Sequence, residues 1–384
     1  MAILGNFEET LSFLKKNSNH PFLKFQLDRS GLILDDIKNY DDFNKIKPIN
    51  RKDLADLSKD FKNFLSLFED CPLRIFESPG GIFNCLFDRY DQYRFYKALE
   101  ISSFGPCDII INTFSYHLTP AGEMFEEACE KIGATVFPLG PTSSEKCADI
   151  IKHIDATAFI GTKTFLRKVL EILGENNPLL KAYLIAEKIT EAERKYLSEK
   201  YKIDIYQGYG TAEVGLIATE CEYKDGMHLD NDLFVEVLSV DHSYHVKEGE
   251  IGEVLVTLLN PKYPLIRYAT GDLSKYTLEK CKCDREIPRL LGIFGRVDNS
   301  VKVKGVFVHQ WDFDEFCNNL GVNGRLEVVF KDGVDSLVLI INKNVHDVYE
   351  KFKERFKLSL KDVKIDEDIN KNEILDKREY LKER

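Results

Sequence analysis

Asp108-Ile109-Ile110-Ile111-Asn112 opens the stretch that decides the fold. It is followed by a helical pattern over 122–132, by Thr135-Val136-Phe137-Pro138-Leu139, by a second helical pattern over 144–154, by Ala158-Phe159-Ile160, and by a third helical pattern over 164–173. Apolar runs of strand length, separated by helices of about 10 to 15 residues, are the mark of βαβ units and predict a largely parallel sheet. Upstream, residues 1 to about 70 carry helical periodicity, with Phe7, Leu11, Phe13 and Leu14, and later Ile46, Leu54, Leu57, Phe61, Leu65 and Phe68, on apolar faces. This reads as a helical lead-in. Downstream, over 233–276, strands follow one another without long helices, as in Phe234-Val235-Glu236-Val237-Leu238 and Gly252-Glu253-Val254-Leu255-Val256-Thr257-Leu258. That pattern predicts a β-rich subdomain. After Gly295 a compact α+β segment is expected, with strands near 301–308, 326–330 and 336–341 and helices near 312–319 and 346–356. The fold class is therefore α/β: a large N-terminal domain over 1–295, a hinge over 296–299, and a small α+β C-terminal domain over 300–384.

Composition narrows the class of function. At 384 residues the chain is too long for one comfortable core, which agrees with two or three domains. With 43% hydrophobic and 30% charged residues it reads as a soluble globular protein. A net charge of −11 argues against a nucleic-acid surface, and the Lys-rich tail over 342–384 does not change this because Asp and Glu offset it; the tail reads as solvated helix. No apolar run approaches the roughly 18 residues of a membrane span, and the N-terminus lacks the basic start of a signal peptide, so a cytoplasmic protein without a membrane partner is expected. Nine cysteines, an odd number without framework spacing, fit reduced thiols with some metal ligation better than disulfides.

Tyr206-Gln207-Gly208-Tyr209-Gly210-Thr211-Ala212-Glu213-Val214-Gly215 crowds glycines, an aromatic ring, a hydroxyl and a carboxylate into one segment. Two readings are open. It is either a strand leaving the core into a glycine turn, or a nucleotide site in which Tyr209 faces a base and Glu213 holds Mg²⁺ beside Thr211 and a phosphate. Further on come Tyr263-Pro264-Leu265-Ile266-Arg267-Tyr268-Ala269-Thr270-Gly271-Asp272, then Gly295-Arg296-Val297-Asp298-Asn299, then Lys302-Val303-Lys304-Gly305. Taken in this order, the segments resemble the adenylate-forming superfamily of acyl-CoA synthetases, and most closely phenylacetate-CoA ligase and its relatives. Ile160-Gly161-Thr162, Leu184-Ile185-Ala186-Glu187-Lys188-Ile189-Thr190 and the run from Thr219-Glu220-Cys221 to His228 extend the resemblance.

The resemblance implies a carboxylic acid substrate, aromatic in kind, activated by ATP as an acyl-adenylate and transferred to CoA. It implies that Tyr209 stacks on adenine with Ala186 and Glu187 lining the base, and that Gly210 and Thr211 meet the α-phosphate. Glu213 would ligate Mg²⁺, Asp272 would take the ribose hydroxyls, and Arg296 would approach the ribose or phosphate unless it is a surface ion pair. Asp298 matches the hinge residue, or is a plain linker aspartate, and Lys302, Lys304 and Gly305 would lie on a small-domain hairpin. Tyr116 and His117, with Gly208, are assigned to the substrate pocket; His117 can equally be a satisfied loop histidine. A homodimer is what the resemblance suggests.

Cys221-x6-His228 and Cys281-Lys282-Cys283 make up a complete tetrahedral zinc set with no open position, which would be a structural site. The C-x-C spacing is unusual and can arise by chance; relatives of phenylacetate-CoA ligase carry a similar set at these places.

Two departures stand out. The phosphate loop of the superfamily ends in lysine, whereas here the segment reads Phe76-Glu77-Ser78-Pro79-Gly80-Gly81-Ile82-Phe83-Asn84, leaving Ser78, Gly80 and Gly81 to present N–H groups to phosphate. Glu77 would add negative charge if it faced them. The C-terminal catalytic lysine is matched only loosely, by Lys371, with Lys377 behind it. Beside the acid:CoA ligase stand two rivals: adenylation with another acceptor, a carrier protein or a phenolic hydroxyl, and a non-catalytic homologue that binds nucleotide or acyl-CoA.

Overall fold

The computed structural model describes residues 3–78, 81–297, 300–303, 306–331 and 334–378. The chain divides into two compact units, one over 1–270 and 274–293 and the other over 271–273 and 294–384.

In the first unit the βαβ reading holds. Strands Thr135–Pro138, Ile109–Asn112, Ala158–Gly161, Lys181–Leu184 and Asp204–Thr211 lie side by side in that order, all parallel. Helices Ala121–Lys131, Ser144–Ile154, Lys163–Leu173 and Glu191–Tyr201 make the crossovers. Three of these helices start on a hydroxyl side chain that accepts an N–H from the first turn, namely Ser143, Thr162 and Thr190. Such caps satisfy donors that the helix cannot. Strand Ala158–Gly161 is buried along its whole length because helices cover both faces of the sheet. Beyond Asp204–Thr211 the sheet turns antiparallel, through Gly215–Glu220 and Met227–Leu229. The β-rich part includes the long pair Leu233–Leu238 and Gly252–Leu258.

The lead-in is helical, with helices Phe7–Lys16, Pro21–Asp28, Tyr40–Phe43, Arg51–Ser58 and Phe61–Leu65. Two very short strands stitch it to the sheet. Ile3–Leu4 pairs antiparallel with Val235 and Glu236, and Ile49–Asn50 pairs parallel with Tyr268 and Ala269. Beneath this seam lies a buried ion pair. The Arg267 guanidinium donates to Glu236 from Nε at 3.0 Å and from Nη2 at 3.1 Å, to the carbonyls of Asn44 and Ile46 at 2.7 Å each, and to Asn44 Oδ1 at 2.7 Å. Tyr40 donates its hydroxyl to Glu236 at 2.5 Å. Both charged groups are almost wholly buried, so every lone pair and proton needs a partner.

The second unit contains the hairpin Ser300–Val303 with Val306–His309, the helices Gln310–Leu320 and Val348–Phe356, and a four-stranded sheet. In that sheet Gly324–Lys331 and Val334–Ile341 are antiparallel, with Glu373–Asp376 and Asp362–Ile365 added in parallel at the two edges. This corrects the reading of 342–384 as solvated helix. Helix Val348–Phe356 buries Phe352 and Phe356 in the unit's core, and two short strands follow it. These are edge strands, hydrogen-bonded on one side and polar on the other, so they lack a clear period of two.

Removing one partner of a buried ion pair leaves the other charge unpaired, at a cost of about 3–5 kcal/mol. Arg267→Ala is therefore expected to lower the unfolding free energy on that scale and to make the first seventy residues or so the first target of limited proteolysis. The double variant Arg267→Met, Glu236→Leu should lose less than Arg267→Ala alone in denaturant titration.

Candidate active site

The C-terminal ends of parallel strands are where open α/β sheets bind ligands. A cavity of about 380 Å³ opens there. Ile185 and Ala186, just past strand Lys181–Leu184, line it, as do Gly210, Thr211 and Ala212 at the end of Asp204–Thr211. Phe114, beyond Ile109–Asn112, adds an aromatic wall. Thr119, Pro120, Ala121, Met124 and Phe125 come from the start of helix Ala121–Lys131, and Phe95 from the start of Phe95–Ile101. The rings of Phe95 and Phe114 pack on Phe125 at 4.5 and 5.3 Å between centroids, which fixes the apolar end. Ser78 and Arg51 complete the lining at residues of quite different character.

The backbone is drawn tightly here. Ala186 holds a φ of 72°, a left-handed conformation that costs a non-glycine residue on the order of 1–3 kcal/mol. Gly208 has no room for a side chain, because a Cβ would overlap the Tyr183 hydroxyl, which bonds to Thr219 Oγ1 at 3.0 Å. Gly208 is thus required by strand packing.

Glu213 follows in the turn after the strand and is only 4% exposed, yet its Oε1 has no hydrogen-bond partner among the described residues. The Tyr268 phenol faces this carboxylate and feels its charge. Burial, followed by the Glu213 charge, holds the Tyr268 phenol far above its ordinary value, while the Arg51 charge acts in the opposite direction. Burial and then Glu213 also raise the phenol of Tyr263. Both phenols therefore stay neutral. Thr211 Oγ1 accepts the Val214 N–H at 3.2 Å, which shapes the turn that carries Glu213.

Several expected residues stand elsewhere. Tyr209 is buried in the core cluster with Tyr263 and Tyr268 and does not line the cavity. The Glu187 carboxylate accepts the backbone N–H of Thr164 at 2.8 Å, tying the loop to the start of helix Lys163–Leu173. Tyr116 turns its hydroxyl to Asn112, and His117 is exposed; neither lines the cavity, whose wall is made instead by Phe114 before them and Thr119 to Ala121 after them. Gly80, Asp298, Lys304 and Gly305 lie outside the described residues. Gly81 follows the turn between strands Arg74–Ser78 and Ile82–Leu86. In this hairpin Phe76 and Ser78 are buried whereas Glu77 is exposed, so the alternation of the strand turns Glu77 away from the face that carries Ser78. Ser78 Oγ accepts from Asn84 Nδ2 at 2.7 Å.

In the second unit Arg296 Nη1 donates to Asp272 at 2.7 Å. Lys371 is well exposed and pairs with Glu373 at 2.8 Å; Lys377 pairs with Glu327 at 2.6 Å.

Cys221, His228, Cys281 and Cys283 converge, with all four ligand atoms within 4.8 Å of one another. The Sγ atoms of Cys221 and Cys281 are 3.7 Å apart, and Cys283 Sγ lies 3.3 Å from His228 Nε2. Thiolates bound about 2.3 Å from a tetrahedral zinc stand roughly 3.8 Å apart, so the four groups fit such an ion. Cys221 follows strand Gly215–Glu220, His228 lies on Met227–Leu229, and the C-x-C pair belongs to the loop before Arg289–Arg296.

No protein-family model matches the chain. Phenylacetate-coenzyme A ligase of Thermus thermophilus is 30% identical over 224 residues, 56% of this chain and 50% of that protein. The ligase of the same name from Escherichia coli is 27% identical over 341 residues, 83% of this chain and 77% of its own length. The chain thus spans about half the length of the first relative and about three quarters of the second. Among solved structures, an open conformation of 2-hydroxyisobutyryl-CoA ligase in complex with 2-HIB-AMP and CoA superposes with a TM-score of 0.81 at 18% identity, covering 95% of this chain and 90% of that one. Apo MatB from Rhodopseudomonas palustris gives 0.53 at 16% identity over 78% of this chain and 64% of that one. The chain is similar in sequence to phenylacetate-CoA ligases and has the fold of adenylate-forming CoA ligases.

Gly208→Ala is expected to destabilise the first unit by about 1–3 kcal/mol, the usual cost of overpacking, and to lower the thermal midpoint by several degrees. An unchanged midpoint would show that the Tyr183 contact yields without cost.

Proposed function

We propose that the chain activates an apolar, aromatic carboxylic acid with ATP as an acyl-adenylate and then passes the acyl group to coenzyme A. The observation that carries this reading is one cavity with two chemically different ends. Phe95, Phe114, Met124, Phe125 and Ile185 offer an apolar sleeve, while Ser78, Arg51 and the Gly210-Thr211-Ala212 turn leading to Glu213 offer polar and charged groups. An aromatic acid in the sleeve would direct its carboxylate toward the turn.

In the first step a carboxylate oxygen attacks the α-phosphorus of ATP; the new O–P bond forms as the bond to the bridging oxygen breaks and pyrophosphate leaves. In the second, the CoA thiolate attacks the acyl carbon and AMP departs. Neither step needs a nucleophile from the protein, so its task is positioning and charge stabilisation. Thr211 and Gly210 are the proposed neighbours of the α-phosphate, and Ala186, at the cavity wall, is the proposed neighbour of the base. Glu213 fits a hard cation: it presents a buried carboxylate oxygen without a partner among the described residues, beside the neutral Tyr268 phenol. Bound there, Mg²⁺ would neutralise charge on the phosphate oxygens. Asp272 with Arg296 for the ribose, Lys371 for adenylation and Asp298 as hinge are proposed on the motifs. A closed Cys₃His zinc site is proposed on the convergence of Cys221, His228, Cys281 and Cys283.

Pyrophosphate release across a panel of aryl and fatty acids, with CoA added or withheld, tests the reading; aryl acids are expected to respond and CoA to accept. Silence across the panel with nucleotide binding retained would favour the non-catalytic rival. Glu213→Gln should lower adenylation roughly a hundredfold. Lys371→Ala should abolish acyl-adenylate formation while sparing thioester formation from added acyl-adenylate; loss of neither would end that assignment. Purified protein should contain one zinc per chain, and Cys283→Ser should lose it together with several degrees of melting temperature.

A further inference from the structure

We propose that Arg51 is the cation that grips the β- and γ-phosphates of ATP, in place of the lysine that the phosphate loop of this chain lacks. The proposal rests on the ATP-dependent reading above and deepens it.

Arg51 is held from both sides. The preceding strand, Ile49–Asn50, is hydrogen-bonded in register with Tyr268 and Ala269. Arg51 is then the first residue of helix Arg51–Ser58, which is closed by a reciprocal cap: Asn50 Oδ1 accepts from the Asp53 N–H at 3.0 Å, and Asp53 Oδ2 accepts from the Asn50 N–H at 2.9 Å. From this anchored base the side chain lines the cavity together with Ser78, Thr211 and Ala212. Its charge acts on the buried Tyr268 phenol, which also feels the Glu213 charge. Arg51 and the proposed Mg²⁺ ligand thus act on the same hydroxyl.

In-line displacement dictates what belongs there. The attacking carboxylate and the leaving pyrophosphate must lie on opposite sides of the α-phosphorus. With the acid in the sleeve of Phe114 and Phe125 and the α-phosphate at Thr211, pyrophosphate must leave toward the polar end. A trianionic leaving group needs positive charge beyond one metal ion, and neither Ser78 nor a glycine turn supplies it. A guanidinium does so with a planar fork matched to phosphate oxygens.

The test compares ATP with AMP, which lacks the β- and γ-phosphates. Titration calorimetry with Mg²⁺ATP and with AMP is run on the full chain, on Arg51→Ala and on Arg51→Lys, beside steady-state pyrophosphate release. Loss of a hydrogen bond to a charged group predicts that Arg51→Ala weakens ATP binding, and raises the KM for ATP, by roughly tenfold or more. AMP affinity and the KM for the acid should stay within about twofold, and Arg51→Lys should recover part of the loss. Retained AMP binding also shows that the variant folds. An unchanged ratio of ATP to AMP affinity, or equal weakening of both nucleotides, overturns the assignment. If the parent protein releases no pyrophosphate yet shows the Arg51-dependent preference for ATP, the ligase reading fails and the phosphate site stands. If it does release pyrophosphate and Arg51→Ala leaves the KM for ATP unchanged, the reverse holds.

Discussion

The buried contact between Arg267 and Glu236 is the constraint on which the first unit depends. A guanidinium and a carboxylate taken out of water repay their desolvation only if each remaining donor and acceptor is matched. Here the matching groups come from far along the chain: the carbonyls of Asn44 and Ile46, the amide oxygen of Asn44 and the hydroxyl of Tyr40. Satisfying one ion pair therefore fixes the path of the lead-in from residue 40 to residue 46. Three residues later Ile49 is in register with Tyr268, one position beyond Arg267 itself. The network acts less as a source of net stability than as a locating pin, since a well-packed apolar substitute of similar volume would serve stability as well.

What the pin locates is the polar end of the cavity. Glu213 and the phenols of Tyr263 and Tyr268 are all buried, and a buried carboxylate oxygen without a partner is expensive unless something pairs with it. Tyr268 faces it, and its neutral form is enforced by the same burial that makes the carboxylate costly. Oε1, without a partner among the described residues, is the oxygen proposed to take a cation. The opposite end needs no such economy, because stacked rings and a methionine are at rest when buried. The asymmetry follows from which strand ends meet: the parallel strands deliver small residues and backbone at Gly210 and Ala186, while helix Ala121–Lys131 delivers bulk at Met124 and Phe125.

The parallel half of the fold was legible because its signal is local. Ile109-Ile110-Ile111 and Ala158-Phe159-Ile160 are fully apolar, as strands covered on both faces must be, and the intervening helices carry a plain period. The tail was misread for the converse reason, since the edge strands Asp362–Ile365 and Glu373–Asp376 gain their place from pairing with partners about 25 to 50 residues away rather than from their own pattern. At the site, Gly210 and Thr211 of the motif line the cavity and Glu213 follows them in the turn, whereas Met124 and Phe125 were not singled out, although the helical spacing after Ala121 could have placed them. Tyr209 reads as ligand-facing because a ring in a glycine-rich strand looks so, whereas strand alternation places it in the core cluster and off the cavity lining. Arg51 carried no signal at all: its importance is created by a two-residue strand that pairs across more than two hundred residues of chain.

The cysteines follow from a different physical argument. Sγ atoms of Cys221 and Cys281 at 3.7 Å are too far apart for a disulfide, which needs about 2.05 Å, and they match the edge of a tetrahedron around one ion. Cys71 and Cys107, by contrast, are exposed and belong to no cluster among the described residues. The four converging groups sit where regular structure is sparse: Met227–Leu229 is a three-residue strand, and the segment from 278 to 288 has no strand or helix. A short strand and an irregular loop gain little from their own pairing, and the proposed zinc would tie them together through four side chains. The proposed centre would therefore serve between strands Gly215–Glu220 and Arg289–Arg296 as the Arg267 pin serves at the seam with the lead-in.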